Sequence, residues 1–231
     1  MPTETTDEDP DPEHRAAIER SRRRWEFLSS RWGFVERDTV GVRREAVDLL
    51  DLSPGDRVLD LGCGPGVNFE ALREAVGPEG LVVGVDLARG MVERARERVE
   101  TRGWENVEVV QADATRLSYR RPFDGALATT AVSAMPDVRG VVERVHDALV
   151  PGARFALYEI RLVPSGPARV LNPLVERFYR AFGNWNTEED VLTELRRTFD
   201  SVEEGRSFAL GTNYLVVART ADEGPSGRPH G

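Results

Sequence analysis

Val58-Leu59-Asp60-Leu61-Gly62-Cys63-Gly64-Pro65-Gly66 is the stretch on which the fold turns. A short apolar strand, Arg57–Leu61, runs into three glycines at alternate positions, and a helix from about Val67 to Val76 follows. Glycine reaches positive φ readily and puts no Cβ between the backbone and a ligand. In a doubly wound α/β sheet such a loop sits at the carboxyl end of the first strand, where ligands bind. The spacing discriminates further. A dinucleotide loop reads G-x-G-x-x-G, but Val67 stands in place of the third glycine, leaving G-x-G-x-G.

Strands and helices alternate downstream. Gly77-Pro78-Glu79-Gly80 turns the chain into the strand Leu81–Asp86, and Arg89–Thr101 carries Met91, Val92, Ala95 and Val99 at helical spacing. Strands are expected at Asn106–Gln111, Phe123–Thr129 and Arg154–Ile160, with a helix over Val138–Val150 ending at Pro151-Gly152. Such alternation predicts a parallel sheet covered by helices on both faces. Upstream, residues 1–12 read as a disordered acidic leader. Residues 13–52 read as two helices, Glu13 to about Arg31 and about Arg37 to Leu50, before the turn Ser53-Pro54-Gly55. The main domain spans 53–220. Within it, residues 162–186 hold three prolines and read as a helical insertion. Thr187 opens a helix with Glu188, Glu189 and Asp190 in its first turn. Ser201–Phe208 and Asn213–Thr220 form a hairpin that leaves the last strand antiparallel, and 221–231 is a flexible tail.

Composition narrows the partners. The chain of 231 residues has room for one α/β domain with a buried sheet. Its net charge of -9 argues against a nucleic-acid backbone, which needs clustered positive charge. No apolar run reaches the roughly 20 residues of a membrane helix, and the acidic N-terminus is no secretory signal. Transient contact with a membrane surface stays compatible with the sequence. The single cysteine gives neither a disulfide framework nor a thiolate zinc site, so no metal is expected and the cytoplasm is the default location. All 31 basic residues are arginine. A GC-rich genome accounts for that, and so does a halophile's acidic surface kept hydrated in strong salt.

Three aspartates stand in order around the glycine loop. Asp60 lies at its start, near where a cationic amino-acid moiety would sit. Asp86 closes the second strand about twenty residues beyond the loop, where an acid can accept both ribose hydroxyls. Asp113, in Gln111-Ala112-Asp113-Ala114, follows the third strand and is placed to receive an adenine amino group. A ligand with a ribose, an adenine and a cationic amino acid suits the set.

With VLDLGCGPG, VVGVD followed by LARGM, QADA and LVPGARFALYE, the chain resembles class I S-adenosylmethionine-dependent methyltransferases from about Ser53 to Ile160. Within them it looks most like the ubiquinone/menaquinone C-methyltransferase and phospholipid N-methyltransferase group, through LSPGDRVLDLGCGPGVNF and VGPEGLVVGVDLARGMVERAR. The resemblance implies a Rossmann-like, seven-stranded, mostly parallel sheet with an antiparallel last strand, and S-adenosylmethionine as cofactor. It implies that Asp60, Gly62 and Gly64 line the methionine portion, with Gly66 and Asn68 beside the loop. Asp86 would hold the ribose, Leu87 and Met91 would flank the adenine, and Asp113 and Ala114 would read its edge. Thr129 and Thr130 would lie beneath the cofactor. Cys63 is read as a small packing residue.

Methyl transfer is an in-line displacement at a sulfonium, so positioning can supply much of the catalysis. A base is needed only where the acceptor must lose a proton. Tyr158 and Glu159, ending the fifth strand, are the leading candidates; the alternative for Glu159 is a structural salt bridge. His146 reads as a solvated or capping residue, Asp137 as a helix cap, and His14 and His230 lie near the ends. Trp25, Phe27 and Trp32, with Phe178, Tyr179, Phe182 and Trp185, form either a lid over an apolar, quinone- or lipid-like small-molecule acceptor or ordinary helix packing. Two competing readings stay open: an NAD-dependent oxidoreductase, which would want glycine at Val67, and a non-catalytic S-adenosylmethionine-binding regulator. The sequence leaves the oligomeric state open.

Overall fold

A computed structural model describes residues 12–29, 39–117, 119–183, 185–186 and 189–222. The readings for the leader before Pro12, for Trp32, Arg37, Thr187, Glu188 and His230, and for the side chains of His14, Phe27, Leu28 and Phe182 lie outside what is described.

The strands are β1 (Arg57–Leu61), β2 (Leu81–Asp86), β3 (Val107–Gln111), β4 (Phe123–Thr129), β5 (Leu149–Ile160), β6 (Ser201–Phe208) and β7 (Asn213–Arg219). The helices are α1 (Pro12–Ser29), α2 (Val40–Asp48), α3 (Phe69–Val76), α4 (Arg89–Arg102), α5 (Val138–Asp147), α6 (Asn172–Gly183) and α7 (Val191–Thr198). The sheet has seven strands in the order β3-β2-β1-β4-β5-β7-β6. The first five are parallel, and β7 runs antiparallel to both its neighbours, β5 and β6.

Side chains alternate across each strand, so each strand feeds two cores. On one face Leu59, Leu61, Phe155 and Leu157 meet Val141, Val145, Leu192 and Leu195 from α5 and α7. On the other, Val58, Val82, Leu127 and Ala156 meet Ala46 and Val47 of α2 and Phe69 and Leu72 of α3. Asp60 shares the face of Val58 and is therefore carried beneath α2 and α3. The strand order reverses between β1 and β4, so the loops leaving their carboxyl ends part and open a crevice.

Three expected boundaries shift. The helix before the fifth strand stops at Asp147, and β5 begins at Leu149, which pairs with Phe123. Pro151-Gly152 is no turn between elements; it sits in a register shift within β5, with Gly152 at φ +77°. The last helix opens at Val191. Asp190 caps it by accepting from the Thr193 N–H at 2.9 Å, while Glu189 Oε2 accepts from the Val138 N–H and caps α5 instead. The insertion is a 3-10 turn, Pro167–Leu171, leading into α6, where Pro173 stands in the first turn and costs no helical hydrogen bond. Asp137 caps α5 through the Gly140 N–H, as read from the sequence.

Candidate cofactor and acceptor site

The crevice is a cavity of about 850 Å³ including its open mouth, at the carboxyl ends of β1, β2 and β4. Gly62 and Gly64 form its floor. At Gly62 (φ +63°) a Cβ would stand 2.5 Å from the Ala131 Cβ, so only glycine lets the loops after β1 and β4 approach. At Gly64 (φ +54°) a Cβ would meet no heavy atom within 4 Å: here the bare backbone faces open space. Gly66 lies outside the lining, packed over the Phe69 ring. The Cys63 N–H donates to Val85 O at 3.0 Å, tying the loop to β2. Burial pushes the Cys63 thiol pKa up, which keeps it protonated and inert.

Asp86 joins the loop to β2. Its Oδ2 accepts from the Gly64 N–H at 2.9 Å and its Oδ1 from the Ala88 N–H at 2.8 Å. Burial outweighs these bonds and raises its pKa to about 6. Leu87, Met91, Asp113 and Ala114 line the cavity beside it. Asp113 Oδ1 accepts from the N–H and hydroxyl of Thr115, fixing the 3-10 turn Ala114–Arg116. Asp86 and Asp113 therefore converge on one cavity from loops that are far apart in sequence.

The other end of the loop is built differently. Asp60 is fully buried; its Oδ1 accepts from Asn68 Nδ2 at 2.9 Å, while Oδ2 has no hydrogen-bond partner. Burial raises its pKa to about 7. Asn68 Nδ2 also donates to Thr129 Oγ1 at 3.1 Å, and Asn68 Oδ1 accepts from Arg43 Nη1 at 3.3 Å. Arg43 Nη1 donates to Thr129 Oγ1 as well, and its Nε donates to Thr39 Oγ1 at 2.9 Å. Arg43 is 7% exposed, and its open side lines the cavity together with Thr129 and Thr130. Asp60 and Asn68 do not line the cavity; they sit behind it. Sequence reasoning missed Arg43. The signal was there: Arg43, Ala46, Val47 and Leu50 fall at i, i+3, i+4 and i+7, which places a guanidinium in the buried stripe of α2.

Thr130, the first residue after β4, has φ +52°, a left-handed conformation that costs a β-branched residue energy. Its N–H donates to Tyr158 O at 2.6 Å, which holds the turn. The remaining wall is mostly apolar: Ile18 and Trp25 from α1, with the hydroxyl-bearing Ser21 between them, stand with Ala134, Met135 and Pro136.

Neither Glu159 nor Tyr158 lines the cavity. Tyr158 Oη donates to Asn213 Oδ1 at 2.8 Å, and its ring stacks on Phe208. Glu159 is fully buried. Its Oε1 accepts from the N–H groups of Ala131 (2.9 Å) and Val132 (2.7 Å), and its Oε2 from the Ser133 hydroxyl (2.5 Å). Burial raises its pKa despite those donors. His146 lies edge-on to Phe199, away from the cavity. Among the described residues no group of three or more His, Cys, Asp or Glu could hold a metal, and no helix is long and apolar enough to cross a membrane.

The donor set fits S-adenosylmethionine. A bare glycine backbone faces the cavity, two carboxylates converge at one end, and at the other a buried carboxylate keeps an unused oxygen beside a cavity-lining guanidinium. Known proteins agree. The family described as "Methyltransferase domain" matches residues 58–152. Aklanonic acid methyltransferase DauC of Streptomyces sp. (strain C5) is 38% identical over 52% of this chain and 57% of its own length. Demethylmenaquinone methyltransferase of Geobacillus kaustophilus is 29% identical over 60% of this chain and 62% of its own length. The chain thus spans little more than half of these relatives. The structure of a SAM-dependent O-methyltransferase from Thermotoga maritima shares the fold, with a TM-score of 0.58 at 18% identity over 80% of this chain and 67% of that one. Residues 58–152 are a methyltransferase domain of the class I kind, whose cofactor is S-adenosylmethionine.

Proposed function

We propose that this chain transfers a methyl group from S-adenosylmethionine to a small apolar acceptor. The observation that carries the reading is the division of one cavity into a polar cofactor half and an apolar wall. Asp86 and Asp113 supply the polar half, and Ile18, Trp25, Met135 and Pro136 the apolar one. Bound there, the cofactor supplies an electrophilic methyl on a sulfonium. The chain's own residues hold the cofactor, exclude water from the apolar wall and leave room for an acceptor in line. A relative named for demethylmenaquinone supports a quinone-like acceptor, and one named for aklanonic acid supports an organic acid. Trp25, on the cavity wall, supports α1 as part of a lid. Phe178, 55% exposed, does not support α6 in that role.

Labelled S-adenosylmethionine, incubated with the protein and a cell extract that is then partitioned, tests the reading. Label in the apolar fraction supports it. No transfer to any fraction, despite tight cofactor binding, points to a regulator instead. Calorimetric binding of NAD but of neither S-adenosylmethionine nor S-adenosylhomocysteine would restore the oxidoreductase.

Glu159 acts in this scheme as a positioning residue for the turn 131–133, whose Ala131 forms part of the cavity wall. Glu159→Ala strands the buried Val132 N–H and Ser133 hydroxyl, at about 1–3 kcal/mol for each unsatisfied group, and releases the half-buried Ala131 N–H. The expected result is a Tm lowered by several degrees, with an unchanged pH profile for the surviving activity. Loss of one limb of that profile at an unchanged Tm would make Glu159 the base after all.

The lysine-free, acidic composition fits a protein adapted to strong salt. A Tm that rises in molar KCl supports this; full activity at low salt that vanishes in molar KCl overturns it.

A further inference from the structure

One short stretch of an acidic protein combines exposed apolar side chains with positive charge. Val170 (80% exposed), Leu171 (43%), Leu174 (67%) and Phe178 (55%) follow one another at helical spacing across the 3-10 turn Pro167–Leu171 and α6. Within α6, Leu174 and Phe178 lie four residues apart on one face with Arg177 along its edge, and the 3-10 turn presents Val170 and Leu171 just ahead of them. Over Pro167–Gly183 three arginines, Arg169, Arg177 and Arg180, stand against the single acid Glu176, a net of +2 in a chain of net -9. Glu176 is engaged by Arg180 at 3.2 Å, whereas Arg169 and Arg177 are exposed and form no ion pair among the described residues.

This face stands beside the cavity mouth. Arg24 Nη2 of α1 donates to Arg180 O at 2.8 Å, and its neighbour Trp25 lines the cavity. Tyr179 packs edge-on against Trp185, and the next residue, Asn186, donates its N–H to Ser133 O and its Nδ2 to the carbonyls of Met135 and Pro136. Met135 and Pro136 belong to the apolar cavity wall. The end of α6 is thus fastened to both sides of the site.

We infer that α6 docks the protein on an anionic lipid surface, Val170, Leu171, Leu174 and Phe178 entering the interface while Arg169 and Arg177 meet the headgroups. An amphipathic helix with apolar residues on one face and arginine beside them binds lipid in this way. A second copy of the chain fits less well. A twofold interface sets the same patch against itself, here arginine against arginine, and the patch's one acid is already paired. The inference rests on the proposed reaction only for its use, bringing an apolar acceptor near the cavity; the docking has its own readout.

The test is co-sedimentation of the full chain with phosphatidylcholine vesicles, with and without about one-third phosphatidylglycerol. Expected is partitioning onto the anionic vesicles that is weak on the neutral ones and falls steeply in roughly half-molar NaCl. Val170→Glu/Leu174→Glu and Arg169→Glu/Arg177→Glu should each lower it about tenfold or more, since each arginine near such a surface is worth about fivefold. Both double variants should bind S-adenosylmethionine like the parent. No partitioning, equal partitioning onto both vesicle types, or concentration-dependent self-association abolished by Val170→Glu/Leu174→Glu would each overturn the inference. Failure of the parent chain to bind S-adenosylmethionine would strike the cofactor reading and leave the vesicle result standing.

Discussion

In a calorimetric titration, Asp86→Ala is expected to bind S-adenosylmethionine a hundredfold or more less tightly than the parent chain. A carboxylate accepting from two ribose hydroxyls makes two charge-assisted bonds of about 1.5–3 kcal/mol each. The same carboxylate fixes the Gly64 N–H, so the variant also loosens the loop on which the cofactor lies. Asp86→Asn separates the two effects, because it keeps an acceptor in place without the charge. Unchanged affinity in both variants would remove Asp86 from the site. Protonation should act in the same direction. The raised pKa values of Asp86 (about 6) and Asp60 (about 7) mean that the free protein holds these protons more tightly than its unfolded chain. Their contribution to stability is therefore complete below the ordinary carboxylate range and lost as pH rises through 6 to 7. A cofactor that needs both carboxylates charged gains affinity over that interval and releases protons on binding. Titration in buffers of different ionisation enthalpy measures the release.

Arg43→Met is the second large effect. It should weaken S-adenosylmethionine by about tenfold to a hundredfold while leaving adenosine within a few-fold. The guanidinium stands at the end of the cavity where Asp60 keeps an unused oxygen. A free amino acid carries both charges: its carboxylate can meet Arg43 on the cavity wall, and its ammonium is drawn toward the carboxylate of Asp60 buried behind that wall. Adenosine has neither. Removing the guanidinium also leaves the buried Asn68 and Thr129 acceptors without that donor, at about 1–3 kcal/mol for each unsatisfied group, so the Tm must be followed alongside. An equal loss for both ligands would mean that Arg43 supports the fold and not the amino-acid end.

Much of this was legible in the sequence, for physical reasons that differ from residue to residue. The strands of the parallel sheet are apolar on both faces, so Leu59, Val83, Leu127 and Leu157 announced themselves as runs. The loop was legible because the close approach of Gly62 to Ala131 leaves no room for another residue type. Asp86 and Asp113 could be placed because they follow directly on strands. Arg43 could not, since α2 reaches the site only through tertiary packing and its arginine looks like one more surface charge. Glu159 shows the converse. Its place at a strand end suggested chemistry, but pleating carries it under the turn after β4, where backbone N–H groups consume it. The strand start at Leu149 was hidden because Pro151-Gly152 ordinarily ends an element and here is absorbed as a bulge.

The placement of β7 between β5 and β6 bears on how the chain is made. During synthesis β5 emerges more than fifty residues before the strand that covers its open edge. Until residues 213–219 leave the ribosome, Phe155 and Leu157 belong to an unpaired, apolar margin, and β6 has no neighbour to join. β7 is thus the strand that closes the sheet, laying one edge on β5 and the other on its hairpin partner β6. Pairing over that sequence distance is slow, and a nascent chain stalled before Asn213 would expose a sticky edge for as long as it waits.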